Sequence, residues 1–179
     1  MNQMDGYRIQ KADPFEIPLL HKLIMQVWEE MENKDLFVVE NTTEEWLRTY
    51  LDGRGFGVTA RNQDGELAGL LIVCFPGEDE DNLGRDIGIP ETELAKVVHM
   101  DTSVVAANHR GHGLEQRMLE YAEICLTGSG YRYLMATVSP DNPASLHSLE
   151  KAGYHVVLTK EKYGGYLRHI LLKIIQPYS

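Results

Sequence analysis

Residues Val104-Val105-Ala106-Ala107-Asn108-His109-Arg110-Gly111-His112-Gly113-Leu114 run from a β-branched strand through a basic two-glycine loop straight into a helical pattern. A chain with this junction sets the end of a strand beside the start of a helix, so sheet and helix must share a core. The first N–H groups of that helix have no intrahelical acceptor, and the positive end of its dipole points the same way. An anion, above all a phosphate, suits such a spot. Gly111 and Gly113 remove Cβ atoms where a ligand approaches the backbone, and Arg110 and His112 add donors. Read alone, the segment is equally an ordinary surface turn. It is not a nucleotide P-loop, since no Lys-Ser/Thr follows Gly113, nor the three-glycine dinucleotide fingerprint.

The flanking sequence supplies the rest of the layout. Tyr7–Lys11 alternates as an opening strand. Asp13-Pro14-Phe15-Glu16 begins a helix carrying Leu20, Leu23, Ile24, Val27, Trp28 and Met31, with Pro18 expected to disturb its first turn. Thr42-Thr43-Glu44-Glu45 opens a second, with Trp46, Leu47, Tyr50 and Leu51 as its apolar side. Phe56–Arg61 and Glu66–Phe75 are strands joined by a turn at Asn62-Gln63-Asp64-Gly65. Residues 76–94 form a long acidic loop, read as a solvated connection or as a lid or recognition element. Ala95–Val105 is the fourth strand. Leu114, Met118, Tyr121 and Cys125 mark a face of the third helix, which Gly128 and Gly130 end. Tyr131–Val138 is the fifth strand, and Asp141 reads as a cap for a shorter helix through Ala152. Tyr154–Lys162 and Tyr166–Ile175 close the chain as a hairpin about Gly164-Gly165. The order βααβββαβαββ predicts a single α/β domain over residues 1–179, a mixed central sheet flanked by helices.

A formal net charge of −10 argues against non-specific nucleic-acid binding, which needs basic surface. It suits a cationic partner, and leaves His109, Arg110, His112 and Arg117 as the local basic island for an anion. Cys74 and Cys125 show no metal-type spacing and read as small core residues in a reducing compartment. Met1-Asn2-Gln3-Met4-Asp5 has no apolar run, and no segment approaches about 18 apolar residues. The expected location is the cytoplasm, with no membrane partner.

The order of elements and the Arg-Gly-x-Gly turn resemble the GNAT superfamily of N-acetyltransferases over nearly the whole chain. Val105-x-x-x-x-Arg110-Gly111-His112-Gly113-Leu114 is similar to its acetyl-CoA pyrophosphate motif. Asn142-x-x-Ser145, followed by Glu150-Lys151-Ala152-Gly153-Tyr154, is similar to its later motif flanking the cofactor. The resemblance implies an acyl-CoA cleft between the fourth and fifth strands, with acetyl-pantetheine along the fourth. It implies cofactor contacts from Val104, Val105, Arg110 to Glu115, Asn142 and Ser145. It also implies direct attack of an amine on the thioester, with oxyanion donors from backbone N–H groups near Val105. Two positions depart from the pattern. Glu115 stands where the family has a small residue, and is read as pointing outward as a first-turn acid. Leu149 stands where many members carry the tyrosine that protonates the leaving thiolate, which leaves Tyr163 or Tyr166 as substitutes.

A protonated alkylamine needs a base before it can attack. His99, Asp101 and Ser103 alternate along the fourth strand and are expected to share a face, making His99 the base and Asp101 its partner or the holder of an ammonium. Glu29, Glu30, Glu32, Glu44 and Glu45 make the first part of the chain acidic, in keeping with a cationic small molecule or peptide amine. Three functional classes stand: an acetyl-CoA-dependent N-acyltransferase, a non-catalytic acyl-CoA-binding module, and an interaction domain using the acidic 76–93 segment. A homodimer is compatible with the resemblance.

Overall fold

The computed structural model describes residues 5–39 and 42–176, so most of the Met1–Asp5 stretch read above lies outside the described residues. Seven strands form one sheet: β1 (Arg8–Lys11), β2 (Gly55–Arg61), β3 (Leu67–Cys74), β4 (Val97–Val105), β5 (Tyr133–Val138), β6 (His155–Lys162) and β7 (Tyr166–Ile174). Their spatial order is β1-β2-β3-β4-β5-β7-β6, antiparallel throughout except for the parallel pair β4 and β5.

Four helices cover the sheet. α1 (Ile17–Glu30) and α2 (Glu44–Leu51) pack on Leu70, Ile72, Cys74 and Val104. α3 (Leu114–Leu126) and α4 (Pro143–Lys151) pack on the opposite face, against Leu71, Val73, Val98 and Met100. Both sides of β3 are thus covered, which is why its sequence is apolar without alternation. Side-chain caps start α2 and α4: Thr43 Oγ1 accepts from Trp46 N–H at 3.1 Å, and Asn142 Oδ1 from Ser145 N–H at 3.3 Å. The cap of α4 is therefore Asn142, not Asp141. Pro18 lies in the first turn of α1, where no helical hydrogen bond is lost, and the helix continues to Glu30. Among the described residues no helix is long and apolar enough to cross a membrane.

The 76–94 segment is packed, not a solvated connection. It forms two 3₁₀ turns, Leu83–Ile87 and Glu91–Lys96, and buries Leu83 against Val97, Met135 and Ile170. Asn82 is fully buried and organises it, accepting from Gly84 N–H and donating to the carbonyls of Gly77 and Leu94. The acidic residues that dominate the composition sit between a few apolar anchors. One of them, Asp86, takes hydrogen bonds from Lys160 and Lys162 at 2.8 and 2.9 Å, tying the insert to β6. Burial alone would raise the Asp86 carboxyl, but the two ammonium groups bring it below the usual range.

β4 is irregular in two ways. Ile72 faces Thr102 but Val73 faces Met100, so Asp101 is the extra residue of a β-bulge. A bulge shifts the alternation by one. His99 therefore falls on the α1/α2 face with its partner Cys74, while Ser103 falls on the α3/α4 face with Leu71. The expected common face of His99, Asp101 and Ser103 does not exist. The second irregularity is the pairing with β5, which covers only Val97–His99 against Tyr133–Met135. Beyond it the two strands have separate neighbours and the sheet is split.

Candidate active site

The split opens a cavity of about 320 Å³. Asp101, Thr102 and Ser103 of β4 line one wall, and Ala136, Thr137 and Val138 of β5 the other. Glu115, Asn142 and Ser145 close it on the α3/α4 side, while Phe37, Trp46 and Asp81 close it on the α1/α2 side. The cavity thus passes through the sheet, and two molecules can meet in it from opposite faces. Ala106 N–H donates to Ala68 O at 2.8 Å, so by antiparallel alternation the amides of Val105 and Ser103 turn from β3 toward the gap. Val104 itself is buried under the α1/α2 helices.

The strand-to-helix junction has the geometry expected of an anion cradle. Gly111 (φ 88°) and Gly113 (φ 66°) are both left-handed, and Gly113 is the N-cap of α3. A Cβ at either would meet no atom within 4 Å, so the glycines serve a backbone conformation in open space. Leu114 is buried in the core, which leaves its N–H alone for a ligand. The basic island is smaller than the sequence suggested. His109 is buried with its Nδ1 2.8 Å from the Tyr7 hydroxyl, and Arg117 pairs with Asp5 at 2.8 Å. Arg110 and His112 remain exposed at the loop. Gly113→Glu is expected to weaken acetyl-CoA binding roughly tenfold or more, about 1.4 kcal/mol, without unfolding the domain. Calorimetric titration checks this; unchanged affinity would remove the cradle.

Glu115 does not point outward. It shares the helical stripe of Met118, Leu119, Ala122 and Leu126, all buried, so its side chain is carried between α3 and α4. There Ser145 Oγ–H donates to its Oε2 at 2.7 Å. Burial pushes the carboxyl up to about 7, against the lowering effect of that hydrogen bond. The position meant for a small residue thus holds a titratable group in the path between the two helix starts.

On the other side, His99 is buried and Leu83 N–H donates to its Nε2 at 3.0 Å. Loss of solvent draws its pKa down to about 4. With its acceptor nitrogen occupied and no place in the cavity wall, the geometry favours an anchor for the insert over a base. Its neutral form favours folding fully above the unfolded value near 6.5, and this contribution is lost as pH falls toward 4. His99→Leu strands the Leu83 N–H and is expected to cost about 1–3 kcal/mol. The check is a denaturant midpoint, with the pH–rate profile unmoved.

Asp101 does line the cavity. The bulge holds its backbone outside the regular ladder; the residue keeps access to solvent, and desolvation of the carboxyl raises its pKa, opposed by a hydrogen bond from Thr102 Oγ1 at 2.9 Å. Tyr163 also reaches the cavity, its hydroxyl 3.0 Å from Thr137 Oγ1. Among the described residues it is the one non-glycine with positive φ, 53°, a strain of about 1–2 kcal/mol at a site wall. Half of the side chain is exposed, and desolvation of the phenol raises its pKa above the ordinary value. Two further wall residues, Asp81 and Arg168, escaped the sequence reading. Arg168 had a signal: it shares strand parity with the buried Ile170, where a cation is out of place. Asp81 had none apart from its acidic neighbours.

The model of the GNAT acetyltransferase family matches residues 20–154. The chain belongs to that family of N-acetyltransferases, whose cosubstrate is acetyl-CoA. Its fold is shared by solved structures of low identity. A GNAT-family acetyltransferase from Streptococcus pneumoniae matches with TM-score 0.69 at 18% identity, over 95% of this chain and 99% of that one. RimL, a ribosomal L7/L12 alpha-N-protein acetyltransferase in complex with coenzyme A, matches at 0.69 and 15%, over 96% of each chain. An aminoglycoside acetyltransferase in complex with coenzyme A and kanamycin matches at 0.68 and 16%, over 94% of each. Among curated protein sequences nothing matches.

Proposed function

We propose that this protein transfers an acetyl group to a primary amine of a small molecule or peptide, the amine entering from the α1/α2 side and acetyl-CoA from the α3/α4 side. The observation that carries this is the split of the sheet after His99 and Met135, with a glycine-lined helix start on one face and Asp101 and Asp81 on the other. The open space at Gly111 and Gly113 and the outward amides around them fit a pyrophosphate. Arg110 and His112 would flank it, and Asn142 and Ser145 would border the pantetheine. Acetyl-CoA supplies the acyl group as an activated thioester. Asp101 receives the ammonium and takes its proton, its raised pKa bringing it nearer to working pH. The amides of Ser103 and Val105 face the gap, where charge develops on the carbonyl oxygen. Tyr163, kept protonated, is the hydroxyl at hand for the leaving sulfur.

The second reading, a non-catalytic acyl-CoA-binding module, is favoured by Glu115 alone. The interaction role for the acidic 76–93 segment is separated from both by cofactor binding, although its apolar anchors are in the core. Thermal unfolding with saturating acetyl-CoA, against AMP, tests cofactor binding. At a hundred times the dissociation constant the ligand adds about 2.7 kcal/mol, a midpoint shift of roughly 5–10 °C for a domain of this size. Thiol release with an amine panel then separates the enzyme from the binding module. No shift at millimolar acetyl-CoA would overturn both.

A further inference from the structure

Arg168 of β7 is only 5% exposed and lines the cavity on the acceptor side. Its guanidinium donates to the carbonyls of Leu167 and Asp35 and lies 5.3 Å from the Tyr166 ring centroid. Two of its five N–H groups are thus used, and among the described residues no carboxylate pairs with it. Buried cations are normally paired, because removal from water is otherwise uncompensated. Of the three acids lining the same cavity, Glu115 bonds Ser145, Asp101 bonds Thr102, and Asp81 forms no ion pair with Arg168. Asp101, Arg168 and Tyr163 all line this one cavity, and Tyr163 is within electrostatic reach of both charges.

We infer that Arg168 is a carboxylate subsite, and that the acceptor is an amino acid or short peptide whose amine meets Asp101 while its carboxylate pairs with Arg168. The inference rests on the acyltransferase reading for its amine end only. A guanidinium fork matches a planar carboxylate with two parallel hydrogen bonds. A monoanion also suits a cavity already lined by Asp81, Asp101 and Glu115, which would repel a phosphate dianion. The purely structural account has Arg168 tying the Asp35 turn to β7. It explains two N–H groups and leaves the charge unanswered.

The experiment pairs acceptors that differ only at one end: α-, β- and γ-amino acids and dipeptides against their amides. Two readouts are taken, thiol release from acetyl-CoA and calorimetric binding to the coenzyme A-bound protein. The wild type is expected to favour the best acid over its amide at least tenfold in kcat/KM and in Kd. Arg168→Gln is expected to abolish that preference, the acid losing at least tenfold more than the amide in kcat/KM and in Kd. Arg168→Lys keeps the charge and restores part of the preference, which covers the case where the Gln variant folds poorly. Equal or better use of the amides by the wild type, loss of both acceptors alike in the Lys variant, or no binding of any acid would overturn the inference. Acid-selective binding without thiol release would uphold the subsite and overturn the acyltransferase reading instead.

Discussion

Glu115→Gly is expected to tighten acetyl-CoA binding at least tenfold at pH 8, and far less at pH 6. In the native protein the Glu115 carboxyl lies between the first turns of α3 and α4, held by Ser145 and pushed up to about 7 by burial. A pyrophosphate entering beside it meets a neutral group below that value and an anion above it. Native affinity should therefore decline as pH rises through 7, by up to about tenfold per unit for a single linked proton. The glycine variant should show no such slope. Burial raises the carboxyl and the Ser145 hydroxyl lowers it, the first outweighing the second. Stability follows the same sign: a folded pKa above the unfolded one gives a contribution fully present below about 4.5 and lost as pH rises through 7. His99 runs the opposite way between 6.5 and 4, so the two partly cancel in the wild type. Isothermal titration across pH 6–8 for both proteins decides the matter; parallel slopes would clear Glu115 of any part in binding.

Asp101→Asn is expected to lower kcat by about 10²–10⁴, the usual range for losing a general base, while leaving acetyl-CoA affinity within a factor of about two. The residual rate should rise with pH as free amine replaces ammonium in solution, where the native enzyme levels off above the Asp101 pKa. The measurement is a pH–rate profile with one amine under saturating acetyl-CoA. Equal losses in kcat and in cofactor affinity would make Asp101 a structural member of the bulge and no base.

The order of strands and helices was legible because each element carries its own period and its own stops, as with the Thr43 cap and the Gly128 end. What counting along one strand cannot reveal is the register against its neighbour. The bulge at Asp101 is a property of the β3–β4 pair, and it sends His99 to the face opposite the one simple alternation assigned. Composition misled in the 76–96 segment, where acidic residues outnumber the few apolar anchors, Leu83 and Leu94 among them, that decide its packing. Glu115 was readable in principle. It lies three and four residues before Met118 and Leu119, whereas the stripe read from the sequence followed Leu114, Met118, Tyr121 and Cys125. The true stripe runs through Leu119, Ala122 and Leu126 and carries Glu115 inward.

The seam between β4 and β5 has a consequence for how the protein can be taken apart. The residues up to Val105 supply Asp101, Thr102 and Ser103 to one wall of the cavity, those from Tyr133 onward supply Ala136, Thr137 and Val138 to the other, and α3 packs mainly on β1 to β4. A chain cut at the Gly128–Gly130 turn therefore yields two contiguous fragments, joined in the sheet by three residue pairs. Neither fragment holds a whole site. Acetyl transfer on mixing them would report their reassembly, making this fold a scaffold for fragment complementation.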